Sequence, residues 1–146
     1  MSARKSRHLL MQALVKGAPS YGGDPLLVAV NRELEELGRC TRLQPLTRQR
    51  LLQVLHASRA LDTCLSSILR ANNITPNHGI GKMLHQLRSM PPATRGYLNY
   101  SAASAFVASI ANPRNRYAHK AASFPSSTRE VDRLVAEVHA CMSMVL

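Results

Sequence analysis

Apolar residues recur along this chain at helical spacing, three and four apart, and never alternate over a strand's length. Near the start, Leu9, Leu10, Ala13 and Leu14 predict a short helix ending at Gly17. Residues 17–25 (Gly-Ala-Pro-Ser-Tyr-Gly-Gly-Asp-Pro) are the longest turn-rich stretch and predict a flexible connection. Asp24 then reads as the cap of a second helix with Pro25 at its first position, where a missing N–H costs nothing. Its stripe is Leu27, Val30, Leu34 and Leu37, and Gly38 is expected to stop it.

The strongest pattern covers about residues 47–72. Leu51, Leu55, Leu61, Leu65 and Ile68 share one face, and Ser58 leaves a small polar gap in it where another element could approach closely. Asn72, Asn73 and Pro76 end the segment. A shorter helix carries Ile80, Met83, Leu84 and Leu87 on one side and closes before Pro91-Pro92. Residues 94–111 predict another, with Tyr100, Ala103, Val107 and Ile110 inward. The last starts at Ser127, where Ser-Thr-Arg-Glu is a capping box closed by Glu130, and its stripe is Val131, Leu134, Val135, Val138 and Met142. With no hairpin signal and no internal repeat, the fold class is all-α, an antiparallel bundle of about five or six helices. Residues 1–45 read as N-terminal helices, either the first of this bundle or an appended hairpin, and residues 46–146 as its main body.

Composition narrows the function. At 146 residues and 45% apolar, the chain is one domain's worth and can bury an ordinary core. It is too apolar for a disordered chain, and no stretch nears the roughly 18 apolar residues of a membrane span. Arg4, Lys5 and Arg7 precede too short an apolar run for a secretory signal. The formal net charge is +11, and fifteen of the nineteen cations are Arg, whose planar fork suits phosphate. Residues 37–120 hold twelve cations and one acid, Asp62, whereas residues 1–36 come to +1 and 121–146 to −1. A polyanion is the expected partner, nucleic acid before an anionic membrane surface.

Cys40, Cys64 and Cys141 are odd in number and widely spaced, which predicts reduced thiols and a cytoplasmic protein. The six His do not fall at zinc spacings, so no metal is expected. Gly79 to Lys82 lacks the spacing of a phosphate loop and reads as a turn into a helix.

The chemistry concentrates in Asn112-Pro113-Arg114-Asn115-Arg116-Tyr117-Ala118-His119-Lys120. Pro113 suits the first turn of a new helix, with Asn112 as its cap. Arg114, Asn115 and Arg116 would then occupy a helix N-terminus, where backbone N–H groups and the dipole favour an anion. Asn115 and His119 are four apart and share a face, whereas Arg114 and His119 diverge by about 140° and lie about 7.5 Å apart along an ideal axis. Either the helix is distorted near Pro113, or two copies face each other across a dimer to complete one site.

Arg114-Asn115-x-x-Ala118-His119, an Arg followed by a polar residue with the His after four intervening positions, resembles the signature of the HEPN superfamily (higher eukaryotes and prokaryotes nucleotide-binding domains). The likeness extends over about residues 46–146, through a long helix bearing Ala60-Leu61-Asp62, a Gly-x-Gly-Lys-x-Leu helix from Gly79 to Leu84, the Arg–His helix and a closing helix. It implies a metal-independent endoribonuclease with no cofactor, acting as a homodimer with a composite cleft. Arg114 would neutralise the scissile phosphate, His119 would serve as general acid/base, and Asn115 would orient either of them. The products would be a 2′,3′-cyclic phosphate and a 5′-hydroxyl, and DNA would resist cleavage. Free-standing prokaryotic relatives are often toxins or antiphage effectors paired with a nucleotidyltransferase-type antitoxin, so such a partner is implied as well.

Around these three, Arg116 and Lys120 are expected to contact RNA phosphates or stand solvated. Tyr117 either stacks on a base or, the favoured option, packs against the neighbouring helix. Two alternatives remain open: a non-catalytic HEPN RNA-binding or protein-interaction module, and plain charge-driven nucleic-acid binding with a steep salt dependence.

Overall fold

The structure, a computed structural model, describes the backbone of residues 3–18 and 25–146 and the side chains of residues 7–18 and 28–146. The expected connection falls mostly outside the described residues, as do the Asp24 cap and the Leu27 side chain. The described residues are helical with no strand, in the order α1 (Ala3–Gly17), α2 (Pro25–Cys40), α3 (Leu46–Ala71), α4 (Ile80–Arg88), α5 (Tyr100–Phe106), a π-helical turn (Val107–Ala111), α6 (Asn112–His119) and α7 (Thr128–Val145). The π turn joins α5 and α6 into one continuous rod, so six rods form the all-α bundle.

Helix α3 lies at the centre, packed by α2, α4 and α7, while α1 lies on α2 and α7. Residues of α1 and α2, including Met11, Val15, Leu34 and Leu37, join one apolar cluster with Leu61, Leu65, Leu84, Ile110 and Met142. The first two helices therefore share the core of the rest. Glu33 of α2 ties this packing at its edge, accepting from Arg59 at 2.8 Å and pairing with the His56 ring at 2.7 Å.

Several stripes sit at a different phase from the one expected. In α1, Leu9 and Leu10 are 47% and 54% exposed, and Met11 and Val15, one turn apart, point inward. Two overlapping stripes are available there, and contact with α2 and α7 selects one. Gly38 does not stop α2, which runs on to Cys40. A Cβ at Gly38 would come within 2.6 Å of the His8 ring, so the glycine lets α1 approach α2 closely. In α3, Leu51 and Leu55 are only half-buried, while Val54, Ala57 and Leu61 carry the core there. Ser58 is buried and donates to its own helix at Val54 O, 2.7 Å away.

Helix α4 follows expectation. Gly79 adopts φ of +99°, which a residue without Cβ tolerates, and the chain turns directly into the helix. Ile80, Met83, Leu84 and Leu87 are all buried. Helix α5 starts later than residue 94, because Asn99 caps it by accepting the Ala102 N–H at 2.8 Å. That start turns Ala103, Phe106 and Ile110 inward and leaves Tyr100 67% exposed rather than buried.

Asn112 is not a cap. Ala111 and Asn112 both have helical dihedrals, and the Asn112 N–H bonds to Val107 O, five residues back. A proline inside a helix lacks a donor and its ring presses on the preceding turn. The π turn immediately before Pro113 widens that turn, so the rod passes through the proline without restarting. A distortion near Pro113, one of the two alternatives, is thus present, but it lies upstream of Arg114. At α7 the capping box forms with one side shifted: Ser127 Oγ accepts the Glu130 N–H at 3.1 Å, while the Glu130 carboxylate reaches Ser126, accepting from its N–H at 3.0 Å and its hydroxyl at 2.7 Å. Among the described residues no helix is long and apolar enough to cross a membrane.

Candidate nucleic-acid interface

Helix α6 has no fully buried residue. It is held by the rod that precedes it and by Tyr117, which packs at the edge of the core and donates its hydroxyl to Glu130 of α7. The tyrosine thus serves the α6–α7 joint, the packing role favoured from its position.

Arg114 is half-buried and turned toward α3. Its Nε is buried with no hydrogen-bond partner, and its Nη1 donates to Asn115 Oδ1 at 3.3 Å. Burial pushes the Asp62 carboxyl above its usual value, and the nearby Arg114 and His78 charges pull it back down. Asp62 therefore lies on the Arg114 side of the rod. Asn115, Arg116, His119 and Lys120 are exposed. In this regular helix Asn115 and His119 share the outer face, and Arg114 points about 140° away from His119.

Continuity of the rod changes the electrostatics expected here. The basic cluster stands at the C-terminal end of a helix that begins at Tyr100. That end of the dipole is negative and favours cations, so Arg116, His119 and Lys120 are stabilised without any bound anion. A phosphate here would be held by side chains rather than by free N–H groups.

A cleft of about 470 Å³ opens beside this segment, between the π turn, α6 and α7. Pro113, Arg116 and Tyr117 line it from α6, facing Glu130, Arg133 and Glu137. Arg114, Asn115 and His119 do not line it: Asn115 and His119 lie on the exposed face of α6, and Arg114 faces α3. Ser109 of the π turn donates to Glu137 across the cleft at 3.2 Å.

Residues beyond the motif also gather here. Asp62 stands near both Arg114 and His78; in the sequence it is the sole acid among residues 37–120 and closes Ala60-Leu61-Asp62, whereas nothing there singles out His78. Arg88 lies over the exposed Tyr100 ring, 5.1 Å from its centroid. All three cysteines are buried and none forms a disulfide; burial pushes the Cys64 and Cys141 thiols up to about 12. Among the described residues no group of three or more His, Cys, Asp or Glu comes together as a metal site would require. Comparison with protein-family models, curated proteins and solved structures finds no match.

Proposed function

We propose that the protein is a metal-independent endoribonuclease of HEPN type, a toxin or antiphage effector that acts in the cytoplasm. The observation that carries this reading is the trio on α6: Arg114 bonded to Asn115, with His119 exposed one turn further on the Asn115 face. The chemistry of these groups is sufficient. The ribose 2′-oxygen attacks the adjacent phosphorus, a 2′-O–P bond forms and the P–O5′ bond breaks. An imidazole takes the 2′-hydroxyl proton, and the leaving 5′-oxygen receives a proton in return. The Arg114 fork neutralises charge building on the phosphate. Imidazole is suited to both proton transfers because it titrates near neutrality.

Arg114 and His119 diverge on one helix, which supports a homodimer in which one protomer's Arg114 works with the other's His119 across a shared cleft. Arg116 and Lys120 contact flanking phosphates in this arrangement. An antitoxin of nucleotidyltransferase type is the expected regulator.

Incubation with RNA in excess chelator tests the reading directly. Cleavage with 2′,3′-cyclic phosphate ends is expected, and intact RNA at high protein concentration refutes it. Mixing Arg114→Ala with His119→Ala protein tests the composite site, because a mixed dimer regains one complete pair. The same divergence also favours a second reading, a non-catalytic RNA-binding or interaction module. That reading predicts that RNA binds and survives, and that no mixture cleaves.

A further inference from the structure

Helices α4 and α5–α6 lie side by side in opposite directions. A Cβ added at Gly81 would lie 3.5 Å from the Ala111 methyl at one end, while Arg88 covers Tyr100 at the other. Gly81, His85 and Arg88 are spaced i, i+4 and i+7, so one edge of α4 borders this seam along its length. The seam is small-sided near Ala111 and Ala103, and it carries no carboxylate: the sole acid of residues 37–120, Asp62, is half-buried beyond its Arg114 end.

The two ends differ in chemistry. At one end Arg114 and His78 gather near Asp62. At the other, Tyr100 is 67% exposed, and a guanidinium over one face leaves the opposite face open. Such a ring gains little from its surroundings in the folded chain. It presents what single-stranded nucleic acid uses, a flat π surface with a cation beside it. From Tyr100 to Arg114 the rod rises about 21 Å, a span of several nucleotides.

The geometry points to a single-stranded RNA track along the seam between α4 and α5–α6, running from Arg114 to an Arg88–Tyr100 platform on which a base stacks. The proposal rests on the endoribonuclease reading for the identity of the polyanion and adds the surface that holds the strand away from the scissile phosphate. His85, exposed between Gly81 and Arg88 on that edge of α4, stands midway along the track.

The test uses full-length His119→Ala protein, which leaves RNA uncut, and a fluorescent single-stranded oligoribonucleotide followed by anisotropy. Tyr100→Ala is expected to weaken binding about tenfold or more, and Tyr100→Phe to bind as the parent does. Arg88→Ala should weaken binding and lower the slope of log affinity against log salt by about 1. Arg39→Ala removes the same charge from the exposed side of α2, away from the seam, and should have a much smaller effect. Thermal melting of each variant separates loss of fold from loss of contact, and the Phe variant keeps the test decisive. If the parent binds but Tyr100→Ala and Arg88→Ala bind equally well, the track is overturned while the endoribonuclease reading stands. If the parent binds no RNA at low salt, both are overturned. Tighter binding of duplex RNA, or of the corresponding DNA strand, overturns the single-stranded RNA assignment.

Discussion

Helices α6 and α7 are neighbours joined through Tyr117 and Glu130, yet they are built on opposite terms. Helix α7 buries seven residues, Val131 through Val145, on one stripe and has a formed cap at Ser127. Helix α6 buries none fully, has no cap of its own and is a continuation of the rod before it. The identity of the α7 residues is dictated by packing. The identity of Asn115, Arg116, His119 and Lys120 is not, because the fold asks almost nothing of them. Side chains that the fold leaves unconstrained are the ones available for chemistry.

The sharpest way to separate the two helices is to compare a rate with a stability. His119→Ala should cut RNA cleavage by about 10²- to 10⁴-fold. It should leave urea unfolding within about 0.5 kcal/mol of wild type, since His119 is exposed. Leu134→Ala in α7 should do the reverse in kind, costing about 2–5 kcal/mol of stability because the side chain is 4% exposed in the core. Equal stability losses in the two variants would erase the distinction between the helices.

Glu130→Ala attacks the joint between them. It removes the acceptor for Ser126 and Tyr117 together, so a loss of about 1–3 kcal/mol is expected, with slower cleavage as α6 loses its tether. The smallest effect lies at the far end of α7. Burial, then the Arg7 guanidinium, hold His139 below its usual imidazole range, and Arg7 Nη1 donates to its Nδ1 at 3.1 Å. The unfolded chain therefore takes up the proton first. The contribution of this His is complete above about pH 6.5 and is lost as pH falls through its lower folded value. Urea midpoints measured from pH 7 to 5 should drop less in His139→Gln than in wild type.

The architecture was legible in the sequence wherever a stripe was unique. Ile80, Met83, Leu84 and Leu87 in α4 and the Ser127 cap came through because no competing phase exists there. Phase was lost where apolar residues were abundant, as at Leu9, Leu10 and Met11, because only the partner helices choose between two adequate faces. Tyr100 faces solvent because the Asn99 cap, rather than hydrophobicity, fixes where α5 begins. The candidate site is legible in the sequence only as a set of residue types. Its setting is not: Asn112-Pro113 has the composition of a helix start, and nothing in the local sequence reports the five-residue hydrogen bond that carries the rod through.

That hydrogen bond has a consequence in terms of insertion and deletion. A π turn is an α-helix with one surplus residue, and each residue turns a helix by about 100°. The compass bearing of Arg114, Asn115 and His119 around their axis is therefore set by how the surplus residue upstream is wound. Removing a single residue between Val107 and Ala111 would let the rod close into regular α-helix. The outward face of α6 would then keep nearly its present bearing, whereas winding all five residues as regular α-helix would swing it about a quarter of a turn and press Pro113 onto the preceding turn. One unmatched residue acts as the index mark that aims this surface.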